Sequence, residues 1–304
     1  MMDLKQIAQN ASKAKAAFPA FNIPYLPMLE PVVRAVVEQN SFALIEVARL
    51  EWTKFEAGGP EAVGKEFLRW QNLDHVRLHL DHIPVIDEDG QRVDYLAIIQ
   101  QAIGLGYHSV MVDGSRLPLD ENIAATKSVA ALAHRAGIPC EAELGAVLGH
   151  EAGPLPPYDE LFASGKGFTK VDEARRFAAE TGCDWLSISI GNVHGAISGV
   201  MKDQKKVAAR LDLDHLERLF QATGVPLVLH GGSGIPRELV LASFQKGIVK
   251  INVGTEIRQV YESMLQSSGK VSAAQDAVYE RTRWLIGEYF GLKDLRTLLT
   301  EGAA

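Results

Sequence analysis

A chain of 304 residues with 47% hydrophobic and 23% charged side chains can bury a full core, as one large α/β domain or two ordinary ones. A formal charge of −7 argues against general binding to nucleic acid or anionic membrane, so an anionic substrate has to be held by local groups. Cys140 and Cys183 read as small buried hydrophobes rather than a disulfide, and neither a cationic leader nor a run of about 18 apolar residues occurs, so a cytoplasmic protein with no membrane segment is expected.

Helix-like and strand-like segments alternate from the start. A helix over Asp3 to Ala16 precedes an apolar strand, Ala17 to Ile23; the amphipathic stretch Met28 to Gln39 precedes FALIEVA, Phe42 to Ala48. Helix Glu61 to Asn72 leads to VRLHLDH, Val76 to His82. Helix Tyr95 to Ile103 then leads to SVMVD, Ser109 to Asp113. Helix Asp120 to Ala136, closed by Gly137, precedes PCEAEL, Pro139 to Leu144; helix Val171 to Thr181 precedes WLSISI, Trp185 to Ile190. After helix Asp214 to Ala222 come strand Pro226 to Leu229, a glycine turn, a helix from Pro236 to about Lys246 and strand Ile248 to Val253. Eight such units with no change of composition predict one (β/α)₈ TIM barrel spanning residues 1–304, and the amphipathic tail Ala273 to Leu299 predicts a C-terminal helical extension.

Two connections exceed ordinary turns: Gly145 to Lys170, with His150, Glu151 and GPLPP, and Gly195 to Leu211, with Lys202, Lys205 and Lys206. Both leave carboxyl ends of strands, the catalytic face of a barrel, so they read as lids or as decoration. At the strand ends stand Asp81, His82, Asp113, Glu143, His194 and His230. Neutral imidazoles and carboxylates collected on one rim suit a borderline divalent ion such as zinc, with a position left open for substrate. His230 is followed by Gly231, Gly232, Ser233 and Gly234, and the next strand ends in Asn252, Gly254 and Thr255. Bare backbone N–H groups at such glycine turns hold anions, usually phosphate.

LHLDH (Leu78–His82), VMVDGS, EAELG (Glu141–Gly145), IGNVHG (Ile190–Gly195), LHGGSGIP (Leu229–Pro236) and KINVGTEIR (Lys250–Arg258), in this order, resemble the class II ketose-bisphosphate aldolases, which include the fructose- and tagatose-bisphosphate enzymes. The resemblance implies a zinc-dependent homodimer or homotetramer that cleaves a ketose phosphate through a dihydroxyacetone phosphate enediolate. It places His82, His194 and His230 on the zinc ligands, and Asp113 and Glu143 around the metal or on an alternative divalent or monovalent ion. Asp81 falls on the acid/base serving the aldehyde half, and Glu151 on the loop glutamate that moves the proton at the enediolate carbon. Gly195, Gly231, Gly232, Ser233, Asn252, Gly254 and Thr255 fall on the region that holds dihydroxyacetone phosphate. A zinc-barrel sugar-phosphate epimerase or isomerase, and a non-catalytic metal- and phosphate-binding barrel, are the rival readings.

The chain departs from the family around the aldehyde half. Ala48 replaces the usual serine, Pro24 and Tyr25 replace asparagines, Ile83 and Pro84 follow the DH pair, and Ile197 and Ser198 replace tyrosine and lysine. Glu46, Arg49, Glu51 and Trp52 are available to line a differently shaped pocket, or belong to a surface loop.

Overall fold

The apolar runs become eight parallel strands that pair in sequence order and close on themselves, β1 (Phe18–Asn22), β2 (Ala43–Ala48), β3 (Val76–Pro84), β4 (Ser109–Asp113), β5 (Cys140–Leu144), β6 (Trp185–Ile188), β7 (Leu227–Leu229) and β8 (Ile248–Val253). The computed structural model describes residues 2–145, 158–192, 209–232 and 234–301. The expected TIM barrel is therefore present, with element ends within a few residues of those read from the sequence. Cys140 and Cys183 are both buried and free, and no described helix is long and apolar enough to cross a membrane.

Three features escape periodicity. Residues Arg49–Thr53 form a short helix directly after β2, and Tyr158–Ser164 form another inside the first long connection. The tail is three pieces, helix Val271–Trp284, a π turn over Leu285–Tyr289 and helix Leu295–Glu301. That last helix packs against the opening helix, Leu4–Ala14, which also meets β8.

Each strand is buried on both faces, so apolar residues pack outward against helices while alternate residues fill the barrel. At the amino-terminal end the filling is aromatic. Phe18 meets Phe42 and Trp185 edge-on at 5.7 and 6.5 Å, with the Arg77 guanidinium 5.8 Å from the Phe42 ring centre. The next level is charged. Lys250 Nζ lies 3.3 Å from Glu46 Oε2 and 3.0 Å from Glu141 Oε2, all fully buried, and donates to Asn252 Oδ1 at 2.7 Å. His79 Nδ1 is 2.8 Å from Ser109 Oγ, and its Nε2 is 3.5 Å from Glu141.

One buried ammonium serves more carboxyls than it can neutralise. Burial, then the Asp81 charge, push the Glu46 carboxyl well above its ordinary pKa, against the pull of Lys250. Burial opposes the charge on Lys250, yet Glu141, Glu46 and Asp81 outweigh it and raise the ammonium pKa. Lys250→Ala would strand Glu141 in the core, and loss of one partner of a buried pair costs about 3–5 kcal/mol. Denaturant titration should show that loss, and a much smaller one for Glu46→Gln, since burial already works against the charge it removes. Equal losses would mean that Glu46 is ionised.

Candidate active site

Above the charged level the barrel opens into a cleft lined by residues from the ends of β1 to β4, β7 and β8. Asp81 and His82 are neighbours on β3, where strict alternation would point one of them outward. The pairing of β3 with β4 shifts register between Leu80 and Ile83, and His82 takes a φ of +36°. Such a bulge re-aims a side chain, at a cost of roughly 1–3 kcal/mol for the left-handed backbone. Both side chains consequently face the cleft.

His82 and His230 meet edge-on with ring centres 4.4 Å apart. His82 Nδ1 lies 3.3 Å from Asp113 Oδ2 and 3.7 Å from Glu143 Oε2. His230 Nε2 bonds Glu141 Oε1 at 2.9 Å, which turns Nδ1 toward Glu143 Oε2 at 3.2 Å. Ser115 donates to Asp113 Oδ1 from its backbone N–H and hydroxyl, at 2.9 and 2.6 Å, and Ser187 Oγ donates to Glu143 at 3.2 Å. Asn192 ties down the backbone between these groups, accepting from Ile190 N–H at 2.9 Å and donating to the His230 carbonyl at 3.0 Å.

Burial disfavours charge on His82, but Asp81, Glu143 and Asp113 override it and raise the imidazole pKa well above its ordinary value. The site thus has a negative field that draws a cation. Potential ligand atoms of Asp81, His82 and His230 lie within 4.8 Å of one another, as do those of His82, Asp113 and Glu143. Two imidazoles with converging carboxylates are a donor set that fits a borderline divalent ion.

Asp81 is gripped by amides. Asn22 Nδ2 donates to Oδ2 at 3.0 Å, and Asn252 Nδ2 reaches the two oxygens at 3.2 and 3.3 Å. Burial works to raise its pKa, but His82 and Lys250 outweigh it and bring the carboxyl down to about 2. A charged, oriented carboxylate beside the histidine pair is placed to exchange a proton with a hydroxyl.

The glycines form the other wall. Gly231 has φ +66°, and a Cβ on Gly232 would lie 2.8 Å from Ile251 and 3.1 Å from the Asn252 carbonyl. Gly254 leads into the helix Thr255–Ser268, and Gly254, Thr255 and Arg258 line the same cleft.

The structure brings Asp81, His82, Asp113, Glu143, His230, Asn252 and the glycine wall together at one end of the barrel. Glu151, His194, Gly195 and Ser233, with Ile197 and Ser198, lie outside the described residues. Of the residues available for an altered pocket, Arg49 and Glu51 line it, Glu46 is inside the barrel against Lys250, and Trp52 packs on the core. Sequence reasoning passed over His79, Lys250 and the carboxyl of Glu141. Their signal was a polar or charged residue at every second position of VRLHLD, CEAEL and VKIN.

A parallel barrel with a metal-fitting histidine and carboxylate cluster beside a glycine anion wall defines a class of barrel lyases and isomerases. The comparisons narrow it. The match to the class-II fructose-bisphosphate aldolase family covers residues 2–298, and the chain belongs to that family. It is 36% identical over 228 residues to a fructose-bisphosphate aldolase of Streptococcus pneumoniae serotype 4, a match covering 75% of this chain and 66% of that one. The chain thus spans slightly under two thirds of that relative's length. Among solved structures, the YdjI aldolase of Escherichia coli K12 superposes with a TM-score of 0.74 at 27% identity, over 96% of this chain and 97% of that one. A fructose-bisphosphate aldolase of Campylobacter jejuni, at 17% identity and a TM-score of 0.71 over 96% and 95%, shares the fold.

Glu51 supplies a test of the cleft's electrostatics. Burial above all, aided by Asp81, raises its carboxyl from the ordinary 4.5 to about 8, against the pull of the Ala48 N–H. In that window the folded state holds a proton that the unfolded chain has lost, so stability falls as pH rises through it. Glu51→Gln cannot ionise, so its thermal midpoint should gain on wild type as the pH goes from about 5 to about 8. A gap that stays constant with pH would mean that Glu51 is charged in the fold.

Proposed function

We propose that the protein is a zinc-dependent aldolase that makes and breaks the bond between dihydroxyacetone phosphate and an aldehyde. The observation that carries this reading is the meeting of His82 and His230, 4.4 Å apart, with Asp113 and Glu143 beside an ionised Asp81. Membership of the class-II aldolase family supports it. His82, His230 and, from the sequence, His194 would hold the ion; Asp113 and Glu143 flank it or take a second cation. Bound there, a zinc ion supplies Lewis-acid polarisation of a ketone carbonyl.

In cleavage, Asp81 takes the proton of the hydroxyl that becomes the aldehyde, and in condensation it returns it. The amides of Asn22 and Asn252 keep its oxygens aimed. Glu151 moves the proton on the ketone fragment's reacting carbon. Gly195, Gly231, Gly232, Ser233, Asn252, Gly254 and Thr255 hold the triose phosphate, their N–H groups and small size admitting the phosphate closely. Membership of the class-II aldolase family favours an aldolase over the epimerase reading. A cytoplasmic homodimer or homotetramer completes the reading, and sedimentation of the purified protein would check its size.

The direct test is proton exchange from dihydroxyacetone phosphate into solvent without any aldehyde. Zinc-loaded protein should exchange it, a chelator should stop it, and zinc should restore it; failure to exchange would sink the aldolase reading. Asp81→Ala should keep exchange but lose about 10²–10⁴-fold in cleavage, whereas Glu151→Ala should lose exchange itself. Equal effects on both steps would undo the division of roles.

Gly232→Val should push its side chain into Ile251 and the Asn252 carbonyl, 2.8 and 3.1 Å from the first added atom. KM for dihydroxyacetone phosphate should rise steeply with zinc content unchanged, and an unaltered KM would move the phosphate elsewhere.

A further inference from the structure

The turn after β7 offers one serine among three glycines, so it has little side chain with which to hold itself. Gly231 and Gly234 take φ of +66° and +86°. Glycine loses more conformational freedom on ordering than any other residue, and a turn that must present N–H groups in a fixed array gains from outside support. On the barrel side Asn192 supplies it, donating to the His230 carbonyl at 3.0 Å.

The outer support comes from the C-terminal extension. The Tyr289 hydroxyl donates to the carbonyl of Ile235, a residue 1% exposed, and Arg237 Nε donates to the Glu288 carbonyl at 3.0 Å. The Tyr289 and Trp284 rings lie 5.3 Å apart, and the Arg281 guanidinium is 4.6 Å from the Trp284 ring centre. Arg281 in turn pairs with Glu256, in the first turn of the helix Thr255–Ser268. A continuous chain of contacts thus runs from Glu256 through Arg281, Trp284 and Tyr289 to Ile235, joining the two arms of the glycine wall from behind. The π turn over Leu285–Tyr289 sets its geometry. The Phe290 N–H reaches back five residues to the Leu285 carbonyl at 2.9 Å, which offsets Tyr289 and Phe290 from their α-helical places. Such turns are rare and concentrate at functional sites. Among the described residues, none from Arg281 to Phe290 lines the cleft; a cavity of about 40 Å³ lies between this chain and Gly232 and Gly234.

We propose that Tyr289 and Arg281 are positioning residues for the substrate's phosphate, acting through Ile235 and Glu256 on the two arms of the glycine wall. This deepens the aldolase reading and rests on it. Hydrogen bonds to an anion weaken steeply with distance and angle, so a small shift of the turn costs phosphate affinity. The histidines and carboxylates are held by the strands, so the chemical step survives that shift. The competing role is packing alone, in which the same contacts only fasten the extension to the barrel.

The experiment uses full-length zinc-loaded protein and reads three quantities: KM and kcat for proton exchange from dihydroxyacetone phosphate, the Kd of inorganic phosphate by calorimetry, and the thermal midpoint. Tyr289→Phe keeps the ring and removes only the hydroxyl. Its KM and phosphate Kd should both rise about 3- to 10-fold, the size of one hydrogen bond, with kcat and zinc content unchanged. Arg281→Gln should do the same from the other arm, and Arg281→Lys, which keeps a cation beside Glu256, should recover most of the loss. A lowered thermal midpoint with KM and phosphate Kd as in wild type means packing alone and overturns the assignment. A wild type that exchanges no proton overturns the aldolase reading, while the phosphate Kd of the variants still decides whether these residues order the wall. A wild type that neither exchanges nor binds phosphate removes both.

Discussion

A lysine ammonium with none of its surface exposed sits at the centre of the barrel, and the site above depends on it. Through Glu141, 3.0 Å away, Lys250 reaches the far nitrogen of His230; through Asn252 it reaches Asp81. The cation keeps Glu141 ionised, an ionised Glu141 fixes which His230 nitrogen points inward, and that orients the histidine toward Glu143. The same charge helps to keep Asp81 deprotonated among its carboxylate neighbours. Barrels are ordinarily filled with branched aliphatic layers. Here hydrocarbon is confined to one end, and the stability lost by burying charge is offset by the electrostatic precision passed upward.

That precision would be wasted if the DH pair obeyed strand alternation. The register shift after Leu80 sets two consecutive side chains on one rim, the carboxylate in an amide grip and the imidazole against His230. The left-handed backbone at His82 is unfavourable by itself, and the strands on either side of β3 over-determine it. A flexible loop could carry the same residues but could not hold them at such separations.

The barrel was legible because its strands are short apolar or strictly alternating runs, and KINV, between Gly247 and Gly254, is too short for a helix. His82, Asp113, Glu143 and His230 were legible because each stands at a strand's carboxyl end. The charged layer was not, although its residues alternate visibly: Glu46, His79, Glu141 and Lys250 come from four strands and become partners only when the sheet closes. The helix Arg49–Thr53 is too short for periodicity to reveal. For that reason the sequence could not tell Glu46, a core residue, from Glu51, a cleft residue.

The two halves of the cleft are built from different materials, and this bears on how substrate choice can change. The wall of β7 and β8 is mostly backbone and glycine, where an added Cβ collides with Ile251 or approaches Asn22. Such a wall leaves little room, and a side chain of any kind would intrude on it. The opposite side, from β2 to β4, is made of side chains: Ala48, Glu51, Pro84 and Ile86. A buried hydrogen-bonding group there discriminates by far more than a change of apolar bulk would. Chains that share the glycine wall can thus diverge on the opposite side of the cleft one side chain at a time. The departures at Ala48 and after the DH pair fall on that side, which Glu51 also lines.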